Sequence, residues 1–390
     1  MASLCFSTNN GIVFVPDHHK SGHRLDFMKS PIIAIDARLI SSQNTGDTSY
    51  WRGLIWGLSQ LDPHPNITLF GDQPNQSKLP DNQEIEEPTP FHQQNFKALS
   101  SRLWSYHDFP KMAKAMGANV IHTQYNVSPH AGKAAITTIH DISFLINPDW
   151  YGFKDRVILT RFIPASVRRA SKILTVSQTS KNEIENYIPD SQGKVTVTPN
   201  AIGHDFVPSP KKDAWIALSK DHNLDKPFVF TITSQWARKN TQLAAQAFQQ
   251  SNLAQTHKLV TCGPGEPLTS DSLHFGYVDD LTIRNLYAAA DCFVLPSLHE
   301  GFGIPILEAF ASQTPVICGT GGAIPEVAGD AAIICPDYNP ATWANALNHL
   351  FDDSGKLEAM IKRGQSRVQD FSWIKTAELT MQAYEEVANG

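Results

Sequence analysis

The stretch Phe293-Val-Leu-Pro-Ser-Leu-His-Glu300-Gly-Phe-Gly-Ile-Pro-Ile-Leu-Glu308-Ala-Phe-Ala constrains the fold more than any other part of the chain. Its apolar opening has the length of a buried strand, Gly301 and Gly303 make a turn, and Pro305 suits the first turn of a helix that follows. A helix start presents unpaired backbone N–H groups, and the glycines let an anion approach the main chain of Phe302 to Ile304. Glu300 lies in the loop and Glu308 about one turn into the helix. A solvated surface charge is the usual fate of Glu. Two carboxylates flanking an anion-binding turn, however, suit a ligand that carries sugar hydroxyls as well as phosphate.

The same strand, turn and helix order recurs along the chain. Pro31 to Arg38 reads as a buried strand, then come Gly46 and Tyr50 and a helical pattern from Trp51 to Leu58. Asn119 to Thr123 and Ala134 to Phe144 give two further strands, whose polar ends include His122, His140 and Asp141. Ile173 to Ser177 repeats the pattern, with Ser180 as the expected N-cap of the next helix. Phe228 to Thr233 opens a second series and runs through Ser234, Arg238 and Lys239 into a helix from Thr241. Gly263-Pro-Gly265 lacks the third glycine of a dinucleotide fingerprint and reads as a turn. The expected architecture is α/β, two Rossmann-like doubly wound domains facing a central cleft. Their expected extents are 31–206 and 207–370, after an N-terminal extension 1–30 and before a final helical segment 371–390, with the linker at Ser209 to Lys212. Residues 71–118, rich in Gln, Asn and Pro, read as loops with one or two helices.

A chain of 390 residues exceeds what one core usually serves. Its net charge of −6 argues against a nucleic-acid partner. Of the five cysteines, Cys5 aside, Cys262, Cys292, Cys318 and Cys335 fall in strand-like runs without CxxC spacing and read as buried free thiols of a cytoplasmic protein. No apolar run has membrane-spanning length, and no secretory signal is visible. His18, His19 and His23 lack thiol or carboxylate partners for a metal site, and Met28 is an alternative start. Lys154, Arg161, Arg168 and Lys172 place four cations on one helical stripe over Phe153 to Lys172. It reads first as a solvated face and second as an attachment to the inner membrane surface.

Glu-Gly-Phe-Gly-Ile-Pro-Ile-Leu-Glu over Glu300 to Glu308 resembles the Glu-x7-Glu motif of the retaining glycosyltransferases of family 4, nucleotide-sugar enzymes of the GT-B fold. The likeness extends in order from about Ile32 to the C-terminus. The His140-Asp141 segment, the Arg238-Lys239 pair and Phe275 to Asp280 are similar to family segments. The loop at Gly46 departs from the family, with Thr48 and Ser49 where a second glycine and a basic residue usually stand, and Ala201 and Gly203 depart as well.

The resemblance implies a metal-independent retaining hexosyltransferase that uses GDP-mannose or a UDP-sugar as co-substrate and a glycan or lipid-linked acceptor, with no cofactor. It implies catalytic roles for Glu300, His140, Arg238 and Lys239, and donor contacts at Ser234, Tyr277, Val278, Gly301, Phe302, Gly303, Ile304 and Glu308. Gly46, Tyr50, His122 and Asp141 fall on the acceptor side, and the final helix crosses back to the first domain as part of a hinge. A nucleotide-sugar epimerase on the same fold and a non-catalytic sugar-nucleotide binder are the alternatives.

Overall fold

The computed structural model describes residues 30–41, 46–72, 90–96, 100, 103–222 and 224–390. Cys5, His18, His19, His23 and Met28 lie outside them. Two parallel sheets organise the described residues, each at the centre of one lobe. In the first, β1 (Ile32–Asp36), β2 (Asn66–Asp72), β3 (His92–Phe96), β4 (Val120–Gln124), β5 (Ala135–Thr138), β6 (Lys172–Thr175) and β7 (Val195–Val197) lie in the order β3-β2-β1-β4-β5-β6-β7. In the second, β8 (Phe228–Ile232), β9 (Lys258–Cys262), β10 (Leu273–His274), β11 (Cys292–Leu295), β12 (Val316–Cys318) and β13 (Ile333–Ile334) lie in the order β10-β9-β8-β11-β12-β13. Helices cover both faces of a parallel sheet, so central strands are buried on both faces, as the apolar runs Ile33-Ala-Ile and Phe293-Val-Leu and the more polar β4 show. The strand order reverses between β1 and β4 in one sheet and between β8 and β11 in the other. Ligands of open α/β sheets bind beyond the carboxyl ends of the strands at those two points.

Several local expectations are corrected. Residues 71–118 contain a strand, β3, whose Gln- and Asn-rich sequence is exposed at the sheet edge and so lacks the alternation that marks a half-buried strand. The Ser209 to Lys212 linker is shorter than expected, because Lys211 already begins the helix Lys211–His222. The N-cap of the helix Gln178–Tyr187 is Ser177, whose hydroxyl accepts from the Ser180 amide at 3.0 Å, and not Ser180. The cationic stripe is broken: the helix ends at Arg169, where Ala170 turns extended, and Lys172 belongs to β6 with its ammonium on Glu386.

The last helix, Trp373–Asn389, lies against the first, Gly46–Ser59. Gly53 and Gly57 leave the groove that receives it, since a methyl at Gly53 would stand 2.0 Å from the Trp373 ring and one at Gly57 2.2 Å from its carbonyl oxygen. The indole N–H of Trp373 donates to the Ile202 carbonyl at 2.8 Å, and the Thr376 hydroxyl donates to the Pro199 carbonyl.

Candidate functional site

Both chain segments that leave the β8/β11 switch point carry charge. From β8 the chain passes Ser234 and a short 3-10 turn, Ala237–Lys239, before Asn240 in the left-handed region starts the helix Thr241–Gln250. From β11 it passes Glu300 and Gly303, with φ of 111°, into the helix Ile304–Ala311 with Pro305 in its first turn. The two loops are tied by a 2.7 Å bond from the Leu298 amide to the Arg238 carbonyl.

Their side chains meet in one cluster. Lys239 Nζ lies 2.7 and 2.9 Å from the two carboxylate oxygens of Glu300, Arg238 Nη1 lies 3.2 Å from Oε2, and the Ser297 hydroxyl donates to Oε1 at 2.6 Å. Burial alone would raise the Glu300 carboxyl, but the charges of Lys239 and Arg238 and the bonds from Lys239 and Ser297 outweigh it and hold it below the usual range. A buried carboxylate is stable only when paired in this way. Arg238 also donates to the His299 carbonyl at 2.8 Å.

Glu308 lies on the next helix without a cation at ion-pair distance among the described residues. Burial pushes its carboxyl up to about 7, against the pull of the Tyr287 hydroxyl and with help from the charge of Asp280. Phe302 and Gly303 are buried beside Glu300, and Ile304 is half-buried. Ser234 accepts from the Trp236 amide at 3.2 Å, Val278 packs on the core, and Tyr277 is 77% exposed, so its ring closes no pocket here.

The first lobe supplies the facing wall. Asp141 accepts from the Ser143 amide at 2.8 Å; burial works against its charge, but Arg238, His299 and Ser143 keep its carboxyl low. His140 is packed edge-on against Tyr50 at 4.8 Å between ring centres, and burial lowers its pKa despite Asp47 and Asp141. Gly301 abuts this wall so closely that a methyl on it would lie 2.6 Å from the His140 carbonyl oxygen. Gly46 begins the first helix and is exposed.

Tyr50 and His122 do not reach an acceptor. Both are fully buried, and both bond to the Thr138 hydroxyl, at 2.7 and 2.8 Å, with His122 Nδ1 on the Tyr384 hydroxyl at 2.7 Å. Burial lowers His122 to about 3, so it is a neutral core imidazole. The reason is register. β4 continues to Gln124, which puts His122 mid-strand and moves the cleft edge to Gln124 and Tyr125.

Sequence reasoning missed three sets of groups. Asp47, Gln124 and Tyr125 join His140 at that edge. Glu183 bonds His299 Nε2 at 3.0 Å, across the two lobes. The Glu326 carboxylate accepts from the Gln178 and Thr179 amides at 2.8 and 2.9 Å, so the second lobe caps a helix of the first. Only Tyr125, just past a strand end, offered a local signal; Asp47 meets Gln124 across 77 residues, and Glu183 and Glu326 meet their partners across more than a hundred. Among the described residues no group of three or more His, Cys, Asp or Glu could hold a metal ion, and no helix is long and apolar enough to cross a membrane. Cys262, Cys292, Cys318 and Cys335 are buried free thiols.

The model described as glycosyl transferases group 1 matches residues 217–367, and the glycosyltransferase family 4 model matches 57–206. The chain is 32% identical over 273 residues to the O-antigen chain mannosyltransferase B of Escherichia coli, covering 66% of this chain and 71% of that one. It is 34% identical over 110 residues to the D-inositol 3-phosphate glycosyltransferase of Paenarthrobacter aurescens, spanning only 27% of that protein. The solved sucrose-phosphate synthase of Thermosynechococcus elongatus superposes with a TM-score of 0.69 at 20% identity, over 91% of this chain and 98% of that one, a likeness of fold.

Proposed function

The chain belongs to the group 1, family-4-type glycosyltransferases of the GT-B fold, and on that premise we propose that it transfers mannose from GDP-mannose, or a related hexose from a UDP-sugar, to a hydroxyl of a glycan or lipid-linked acceptor with retention of configuration. The name of the E. coli relative supports mannose. The observation that carries the reading is the Glu300, Lys239 and Arg238 cluster at the β8/β11 switch point.

A diphosphate entering there competes with Glu300 for the two cations. Once Lys239 and Arg238 turn to the phosphates, with the Gly303 and Ile304 amides at the helix start, Glu300 is free to accept from the donor sugar. Glu308 accepts from the ribose hydroxyls. The C1 to phosphate-oxygen bond breaks as the acceptor oxygen bonds C1 on the same face, and the acceptor proton passes to the departing phosphate oxygen. The charge that grows on the diphosphate is met by Arg238 and Lys239, which makes the transfer metal-independent. His140 and Asp141 stand at the sugar from the opposite wall.

Lys239→Ala tests the reading: GDP or UDP affinity by calorimetry should fall by at least about tenfold, and transfer with it. Unchanged nucleotide binding would move the diphosphate elsewhere. The relatives named above are transferases, and nothing in the site favours the epimerase or the non-catalytic alternative. Phe153 and Val157, exposed beside Lys154 and Arg161, support contact of this helix with an anionic membrane surface, which vesicle co-sedimentation tests.

A further inference from the structure

The edge of the first sheet holds a carboxylate that the donor reaction does not use. Asp47 stands in the first turn of the helix Gly46–Ser59, where the helix dipole favours a negative charge. Its Oδ1 receives Gln124 Nε2 at 3.1 Å and the Tyr125 hydroxyl at 3.2 Å, and His140 Nε2 lies 3.6 Å away. A carboxylate only accepts, so the Gln124 nitrogen must face it. The same nitrogen faces His140 Nε2, which puts the imidazole proton on Nδ1. No Lys or Arg pairs with Asp47 among the described residues.

Two features mark this arrangement as more than packing. Gln124 is buried, and its Oε1 has no partner. Tyr125 adopts φ of 62°, a left-handed conformation that a bulky side chain rarely takes. The orphaned acceptor and the strained backbone occur at adjacent residues, and both hold their side chains against Asp47. The Asp47 side chain remains 38% exposed. Arg238 acts electrostatically on the Tyr125 hydroxyl, which places this edge within range of the donor cations. The donors of Gln124 and Tyr125 are spent on Asp47, so the free capacity of the cluster is to accept, and it is anionic.

We propose that Asp47, presented by Gln124 and Tyr125, receives a hydroxyl of the acceptor sugar and selects an uncharged, hydroxyl-bearing sugar over one that carries phosphate or carboxylate at that position. This rests on the transferase reading. Asp47 is a specificity residue, and no proton transfer is assigned to it.

The test uses the full chain, GDP-mannose, and octyl α-mannoside with its four monodeoxy analogues and its 6-phosphate as acceptors. For the parent protein, one deoxy analogue should lose at least about tenfold in kcat/KM, and the 6-phosphate should be the poorer acceptor. In Asp47→Asn that deoxy gap should close to within about twofold, with acceptor KM raised more than kcat is lowered and the Kd for GDP unchanged. Tyr125→Phe, which keeps the carboxylate and removes one group that holds it, should move the gap the same way by less. An Asp47→Asn protein that binds GDP and keeps the parent's discrimination overturns the proposal. A parent that binds GDP but uses none of these acceptors overturns the acceptor class and leaves the donor site standing. Binding of neither GDP nor UDP overturns the transferase reading itself.

Discussion

Glu308 and Glu300 are eight positions apart in one motif and have opposite electrostatics. Glu300 is buried with two cations and is held ionised, whereas Glu308 is half-buried without one and is lifted by desolvation to about 7. For stability the sign is set by the proton count. Between the ordinary 4.5 and about 7 the folded protein holds a proton that the unfolded chain has lost, so the Glu308 contribution falls as pH rises through that window. Nucleotide binding should run the other way, because only the ionised carboxylate accepts from both ribose hydroxyls. GDP or UDP affinity measured by calorimetry should rise by up to about tenfold between about pH 6 and pH 8, and Glu308→Gln should flatten the profile. A flat profile in the parent would place Glu308 away from the ribose.

Legibility in the sequence differs by residue for a physical reason. Arg238, Lys239 and Glu300 were readable because each stands where a strand hands over to a helix, and the sheet's switch point brings those two junctions together. His122 and Tyr50 were misjudged because a polar side chain near a strand end or turn reads as cleft-facing until the register is known; β4 runs one residue further than expected, and His122 lies in the core. Asp47, Gln124 and Tyr125 form a set only after β1, β4 and the first helix have packed.

At the scale of elements, the helix Gln178–Tyr187 is where the two lobes engage. Glu326 caps its start, Glu183 on its body meets His299, and Ser177 donates to the Gly301 carbonyl at 2.8 Å. Burial alone would lower His299, but the Glu183 bond and the Asp141 charge raise it, so this pair is an ion pair toward the acid side of neutrality. Gly301 sets how near the lobes come. Its neighbours across the gap are the His140 carbonyl and Asp141 Cβ, at 2.6 and 3.0 Å from an added methyl, and a backbone carbonyl cannot swing aside as a flexible side chain can. Gly301→Ala should therefore hold the loops apart, lowering kcat by about a hundredfold in steady-state assays while GDP affinity stays within a few-fold. Equal loss of both would mean that Gly301 serves the diphosphate alone. Helix ends and caps were readable to within a few residues, but the partner of Glu326 was not, since a capping carboxylate 147 positions away leaves no local pattern.

For the whole molecule, the alternation of strands and helices sufficed to announce two doubly wound sheets, because parallel sheets write their burial as unbroken apolar runs. The exposed edge strand β3 wrote nothing of the kind. The final helix depends on Trp373, whose ring fills the Gly53 groove. Trp373→Ala should lower unfolding free energy by about 3–5 kcal/mol, read by urea denaturation, and an unchanged midpoint would show that the helix is held by other contacts.

The chain passes between the lobes twice, once after Pro199 to Ile202 and once at Phe371 to Trp373, and the bonds from Trp373 and Thr376 fasten these passages side by side. Two threads stitched together at one spot would confine any parting of the lobes, once the Glu183–His299 and Glu326 bonds across the gap release, to a swing about a line through the stitch. Opening then reduces to a single angle, and any substrate that sets that angle sets the separation of every facing pair in the gap at once.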